Sequence, residues 1–157
     1  MRLGISRTAG LMLVLAATAW AARQYVELTP PSPSAGRPGE KIEVSIPFKV
    51  LEGYHINSNK PTEDYMIPTR LEWAKSPLQH LGDTFPPAQL RDFGFSPGKK
   101  LAVYEGSQIV KTRLAIPAGT APGKVTIEGK FRYQACDHNA CYPPNSVDLR
   151  VTVEVRK

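Results

Sequence analysis

Apolar residues recur at every second position in three long runs. In 42–50, Ile42, Val44, Ile46, Phe48 and Val50 alternate with the mostly polar Glu43, Ser45 and Lys49. In 147–155, Val147, Leu149, Val151, Val153 and Val155 alternate with Asp148, Arg150, Thr152 and Glu154. In 125–133, Val125, Ile127, Phe131 and Tyr133 keep the same period, broken only by Gly129. A period of two puts one face of a strand on a core and the other in water. Gly129 marks either a bulge or a close approach of another chain segment. Shorter strand patterns occupy 24–28, 54–57, 69–73 and 108–116. Proline- and glycine-bearing stretches at 93–98 and 117–123 read as turns. Residues 77–100 as a whole hold too much proline and glycine for a regular element. Seven strand-like runs separated by turns predict an all-β, immunoglobulin-like antiparallel β-sandwich.

Composition agrees. Fifteen prolines and twelve glycines among 157 residues argue against long helices. The N-terminal residues read as an export signal over 1–21. Arg2 and Arg7 precede an apolar run containing Leu11, Met12, Leu13, Val14 and Leu15, and Ala19-Trp20-Ala21 supplies small residues around a cleavage point. That run is shorter than the ~20 residues of a spanning helix, so no membrane span is expected in the mature chain. Export predicts a compartment outside the cytoplasm, where disulfides persist. Residues 22–39 form a Pro/Ser/Gly-rich approach, and the domain proper is expected over 40–157. The formal net charge is +6, with basic residues spread along the chain. This reads as a solvated surface with no nucleic-acid footprint.

The candidate chemistry lies in the only two cysteines, Cys136 and Cys141, with four residues between them. As the only thiols in the chain, they are natural partners. Three readings remain open on the residues alone. A structural staple closing so short a loop removes roughly 2 kcal/mol of unfolded-state entropy. A redox pair needs an accessible sulfur, which the polar loop Asp137-His138-Asn139-Ala140 favours. His138 or Arg132 would promote a thiolate and Asp137 would oppose it. A metal site would combine Cys136, Cys141 and His138 with His55 or His80. The spacing matches no common zinc pattern, however, and no metal or other cofactor is expected. No nucleophilic triad, phosphate-cradling loop or carboxylate pair stands out. Glu63-Asp64 reads as a solvated turn.

The segments Tyr133-Gln134-Ala135-Cys136 and Cys141-Tyr142-Pro143-Pro144 resemble the N-terminal (alpha) domain of the thiol:disulfide interchange protein DsbD, the disulfide bond corrector family. Gly53-Tyr54-His55-Ile56-Asn57-Ser58 and Leu114-Ala115-Ile116-Pro117 support the resemblance, which spans about residues 37–156. It implies an immunoglobulin-like fold and a periplasmic relay of reducing equivalents through Cys136 and Cys141. By position, Cys141 matches the cysteine that forms mixed disulfides with partners, and Cys136 its intramolecular partner. The implied partners are thioredoxin-like periplasmic proteins, including disulfide isomerases and those of cytochrome c maturation. The chain carries no transmembrane or thioredoxin-like segment, so a membrane electron transporter is expected from a separate chain.

Two departures from the family pattern stand out. The spacing between the cysteines is shorter. The positions matching the family's cap loop read Leu101-Ala102-Val103-Tyr104, which keeps only the tyrosine. Tyr104, Tyr133, His138 and Tyr142 are the expected site-shaping residues. Phe93 and Phe95 are alternative caps whose simpler reading is core packing. The competing function is a non-catalytic immunoglobulin-like domain that binds a protein partner and carries a structural hairpin disulfide.

Overall fold

The computed structural model describes residues 23–157. The expected export signal over 1–21 lies outside them. The described residues form twelve strands and no helix, in three four-stranded sheets. The first sheet runs β1 (Val26–Leu28), β3 (Lys41–Val50), β9 (Ser107–Ala115), β6 (Gln79–Thr84). The second runs β2 (Ser34–Gly36), β12 (Asn145–Val155), β10 (Gly123–Tyr133), β5 (Arg70–Trp73). The third is small: β11 (Ala135–Cys136), β4 (His55–Asn57), β8 (Leu101–Tyr104), β7 (Gln89–Arg91). The result is the immunoglobulin-like sandwich that the strand patterns predict.

The period-two runs do what alternation demands. Val44, Ile46, Phe48 and Val50 of β3 are buried, as are Val110 and Leu114 of β9. They share one core with Ile127, Phe131 and Tyr133 of β10 and Leu149, Val151, Val153 and Val155 of β12. Each such side chain contributes about 1.5–3 kcal/mol on burial. This sum holds the two large sheets together, and the surface ion pairs add little to it. Lys130–Asp148 and Arg150–Glu128, for example, are solvent-exposed.

Three features differ from the expected plan. Residues 77–100 are not irregular throughout, because they include β6 and β7. Both are edge strands, which tolerate bulges and turn residues. The register of β6 on β9 shifts between His80 and Gly82, and Gly82 sits at φ +129°, where a side chain is disfavoured. The Pro/Ser/Gly-rich approach contributes the strand β2, while β1 falls within the expected strand pattern at 24–28. The pairing is also not wholly antiparallel: β2 runs parallel to β12, reached by a proline-rich strap that crosses between the large sheets. No hairpin constrains the direction of this pair, because β2 and β12 lie at opposite ends of the described chain and no tight turn joins them.

Gly129 resolves as a close approach. β10 keeps unbroken register with β12 and β5 through this position, so there is no bulge. A Cβ here would lie 2.8 Å from both the Glu72 carbonyl oxygen and Trp73 Cε3. Replacing Gly129 with valine should therefore lower stability by about 1–3 kcal/mol through overpacking. Lys130→Ala, next to it but on the exposed face, should stay within about 0.5 kcal/mol of the parent. Urea midpoints of the two variants test the difference.

Candidate functional site

β10 leaves the sandwich through Tyr133 and Gln134 and becomes β11, which ends at Cys136. The chain turns over residues 137–140 and returns through Cys141 towards β12. The Asp137 N–H donates to the Ala140 carbonyl (2.9 Å), and the Tyr142 N–H donates to the Ala135 carbonyl (2.8 Å). These bonds flank Cys136 and Cys141, which oppose each other as a non-hydrogen-bonded antiparallel pair. Their Cα atoms are 3.9 Å apart and a disulfide joins them. The two ends of the bond differ in exposure: Cys136 is 0% exposed, whereas Cys141 is on the surface.

Asp137 organises the turn. Its carboxylate accepts from the Asn139 and Ala140 N–H groups (2.7 and 2.8 Å) and from the Tyr142 hydroxyl (2.5 Å). These donors hold the carboxyl below the usual range, the Tyr142 bond having the largest effect. Bonded to a carboxylate in turn, the Tyr142 hydroxyl is pushed up to about 12. The loop's acidic residue is thus spent on turn geometry. His138 projects from the exposed tip.

Gln134 ties the hairpin to the third sheet. Its Oε1 accepts from Asn57 Nδ2 (3.1 Å) and the Ile67 N–H (3.4 Å), and its Nε2 donates to the Tyr142 carbonyl (3.1 Å). Tyr142 stacks on Tyr25 with centroids 4.9 Å apart, and Tyr54 closes this aromatic group. The N-terminal segment is fixed alongside. The Tyr25 N–H donates to Tyr133 Oη, the Tyr133 hydroxyl donates to Gln24 Oε1, and Asn145 Nδ2 donates to the Arg23 carbonyl.

β11 pairs with β4, setting Ala135 opposite Ile56 and Cys136 opposite His55. His55 is 2% exposed and lies flat against Phe93, with centroids 3.9 Å apart. Phe95 stacks beyond Phe93. A Cβ built on Gly94 would lie 3.8 Å from His138 Nε2, so the 93–95 turn abuts the hairpin tip. His55, Phe93 and His138 line one side of a cleft of about 470 Å³. Burial pushes His55 down to about 4, against the opposing pull of Glu105 and Asp137.

Of the expected site residues, Cys136, Cys141, His138, Tyr142 and, beneath them, Tyr133 come together. Tyr104 lies elsewhere. It is buried in β8 against Phe48 and Phe85, with its hydroxyl donating to Asn59 Oδ1 (2.6 Å). Phe93 is partly buried and packs on Met66, Leu101 and Val103, as core packing expects, while its ring also faces His55; Phe95 is 38% exposed, which core packing does not expect. His80 pairs with Asp83 on β6. Among the described residues no group of three metal-ligating side chains converges. Sequence reasoning passed over Gln134 and Asn57 as site residues, and weighed His55 only as a metal ligand. All three sit inside the quoted motifs.

The low value at His55 has a consequence for stability. Between about pH 4 and pH 6.5 the unfolded chain binds a proton at His55 that the folded protein refuses, so stability falls as pH drops through this window. The full effect is at most about 3 kcal/mol. Denaturant titrations of the disulfide-bonded protein at several pH values should show this acid limb, and His55→Phe should flatten it.

The family model for the thiol:disulfide interchange protein DsbD, N-terminal, matches residues 26–152. No curated protein matches the chain. Among solved structures, the N-terminal periplasmic domain of ScsB from Proteus mirabilis superposes with a TM-score of 0.55 at 12% identity. That match covers 80% of this chain and 44% of the other, so the chain spans less than half of that structure. The reduced DsbD N-terminal domain of Neisseria meningitidis is 16% identical over 72% of this chain and 82% of that one, with a TM-score of 0.40. A type I cohesin of Pseudobacteroides cellulosolvens, 12% identical, gives 0.48 over 85% of this chain and 94% of that one. At such identities the ScsB likeness speaks for the fold. The family model takes in both cysteines, β4 and the strands that frame them, and the chain belongs to the DsbD N-terminal domain family.

Proposed function

We propose that the protein is a periplasmic thiol–disulfide interchange module that relays reducing equivalents through Cys136 and Cys141. The observation that carries this reading is the unequal exposure of the two sulfurs: Cys141 faces solvent and Cys136 does not. A pair built this way works in sequence. The Cys141 thiolate attacks one sulfur of a partner's disulfide, and the partner's other sulfur leaves with the bonding electrons. Cys136, which a partner cannot reach, then attacks Cys141, and the partner's remaining sulfur departs as a thiolate. The partner is reduced and the module is left with the disulfide seen here. The same steps reversed reload it.

The partners this chemistry fits are thioredoxin-like periplasmic proteins, including disulfide isomerases and proteins of cytochrome c maturation. A membrane electron transporter on a separate chain is the reading's electron source. The Phe93–Phe95 turn beside the hairpin takes the place of an aromatic cap. A purely structural bond has little to recommend it here, since a loop this short contributes only about 2 kcal/mol. The sandwich core already supplies far more.

Two measurements test the proposal. The Cys136/Cys141 couple should equilibrate with a thioredoxin-like protein at a potential above about −300 mV; a lower value without exchange marks a structural bond. Cys136→Ala should accumulate a stable mixed disulfide with such a protein, because nothing remains to resolve it. Cys141→Ser should reduce transfer to the uncatalysed rate. If transfer survives that change, the roles given to the two cysteines are wrong.

A further inference from the structure

His55 has features that core packing does not require. It is 2% exposed, and its Nε2 is buried without any hydrogen-bond partner in the protein. An unpaired buried nitrogen of this kind is costly and calls for an explanation. In the β4–β11 register its cross-strand neighbour is Cys136, so the two side chains project from the same side of the sheet. Cys141, opposite Cys136, continues the row. In the disulfide form Cys136 has no proton to offer. In the dithiol form it gains an S–H, a donor beside a ring whose Nε2 has no hydrogen-bond partner.

We propose that His55 takes the proton of the Cys136 thiol when the pair is oxidised and returns it when the pair is reduced. This rests on the thiol–disulfide interchange reading and adds a proton path to it. Once Cys141 is joined to a substrate sulfur, the Cys136 proton passes to His55 Nε2. The electron pair freed on Cys136 forms the bond to Cys141. The bond from Cys141 to the substrate breaks, and its electrons leave on the substrate sulfur. Two protein thiols are oxidised and one substrate disulfide is reduced. The proton on His55 returns to solvent through the cleft that His55 lines.

The physical reason lies in what each group lacks when alone. Burial keeps an isolated His55 neutral down to about pH 4. Burial likewise opposes an isolated Cys136 thiolate. An imidazolium beside a thiolate relieves both penalties, so the two titrate as a pair. Other charges do not take over this part. Glu105 and Asp137 pull His55 upward only in part. Glu105 is itself paired with Arg91, and Asp137 is held by Tyr142. Lys49, Glu52 and His138 line the same cleft.

The reduced protein with 5,5′-dithiobis(2-nitrobenzoic acid) separates the two chemical steps. Attack by Cys141 releases one equivalent of the coloured thiolate, and resolution by Cys136 releases the second. In His55→Phe, which keeps a flat ring on Phe93, the first phase should be unchanged. The second should slow by about a hundredfold and lose its wild-type pH profile. Equal second phases in both proteins from about pH 5 to about pH 9 overturn the role of His55 while leaving the interchange reading intact. If the wild type releases only one equivalent, the interchange reading fails and the inference falls with it. If His55→Phe does not fold, imidazole NMR of the wild type decides. The His55 midpoint should rise when the disulfide is reduced, and identical midpoints in the two redox states rule the proposal out.

Discussion

Two residue pairs, Ala135 with Ile56 and Cys136 with His55, join the cysteine hairpin to the third sheet. A two-residue strand has no stability of its own. Its position is held by what flanks it. On one side it continues directly from β10, which is anchored in the sandwich core by Phe131 and Tyr133. On the other, Gln134 bridges Asn57, Ile67 and Tyr142. Each bond is worth only about 1 kcal/mol, but together they leave the hairpin a single place to sit. If β11 shifted by one residue on β4, Cys136 would turn to the other face of the sheet and lose His55 as its neighbour.

The placement also separates the two sulfurs electrostatically. Cys136 is buried and faces His55 across the strand pair, an imidazole that burial keeps neutral. Asp137, the next residue in the chain, is committed to two backbone N–H groups and the Tyr142 hydroxyl. Cys141, five residues on, stands in water beside an exposed tip. The same short loop therefore offers one sulfur to a partner and withholds the other. The N-terminal segment contributes too, since Tyr25 stacks on Tyr142 and receives support from Tyr133. The head of the strand pattern at 24–28 thereby buttresses the site.

Much of this was legible in the residues. Alternation at 42–50, 125–133 and 147–155 specified the central strands, because a half-buried strand has no other pattern. Gly129 announced a close approach, though not that Trp73 makes it. The cysteine segment and the Gly53–Ser58 motif pointed to the family, but nothing in their spacing said that they pair with each other. β6, β7 and β8 were missed or misplaced for physical reasons. β6 is an edge strand interrupted by Gly82 and Asp83, β7 is an edge strand of only three residues, and β8 is buried at all four positions, so it shows no alternation. That is also why Tyr104, matched by position to a cap, belongs to the core.

The sequence by itself therefore determined the class of fold, the pairing of the only two thiols and the chemistry available to them. Local patterns suffice for these, because strand period is a property of neighbouring residues and two lone thiols have only each other to pair with. Only the tertiary structure decided which sulfur is buried, that Asp137 is held by Tyr142, and that Phe93 rather than Tyr104 lies beside the site. It also decided that His55, some eighty positions away in the chain, faces Cys136. Exposure, desolvation and cross-strand register arise from contacts distant in sequence, and no local pattern encodes them.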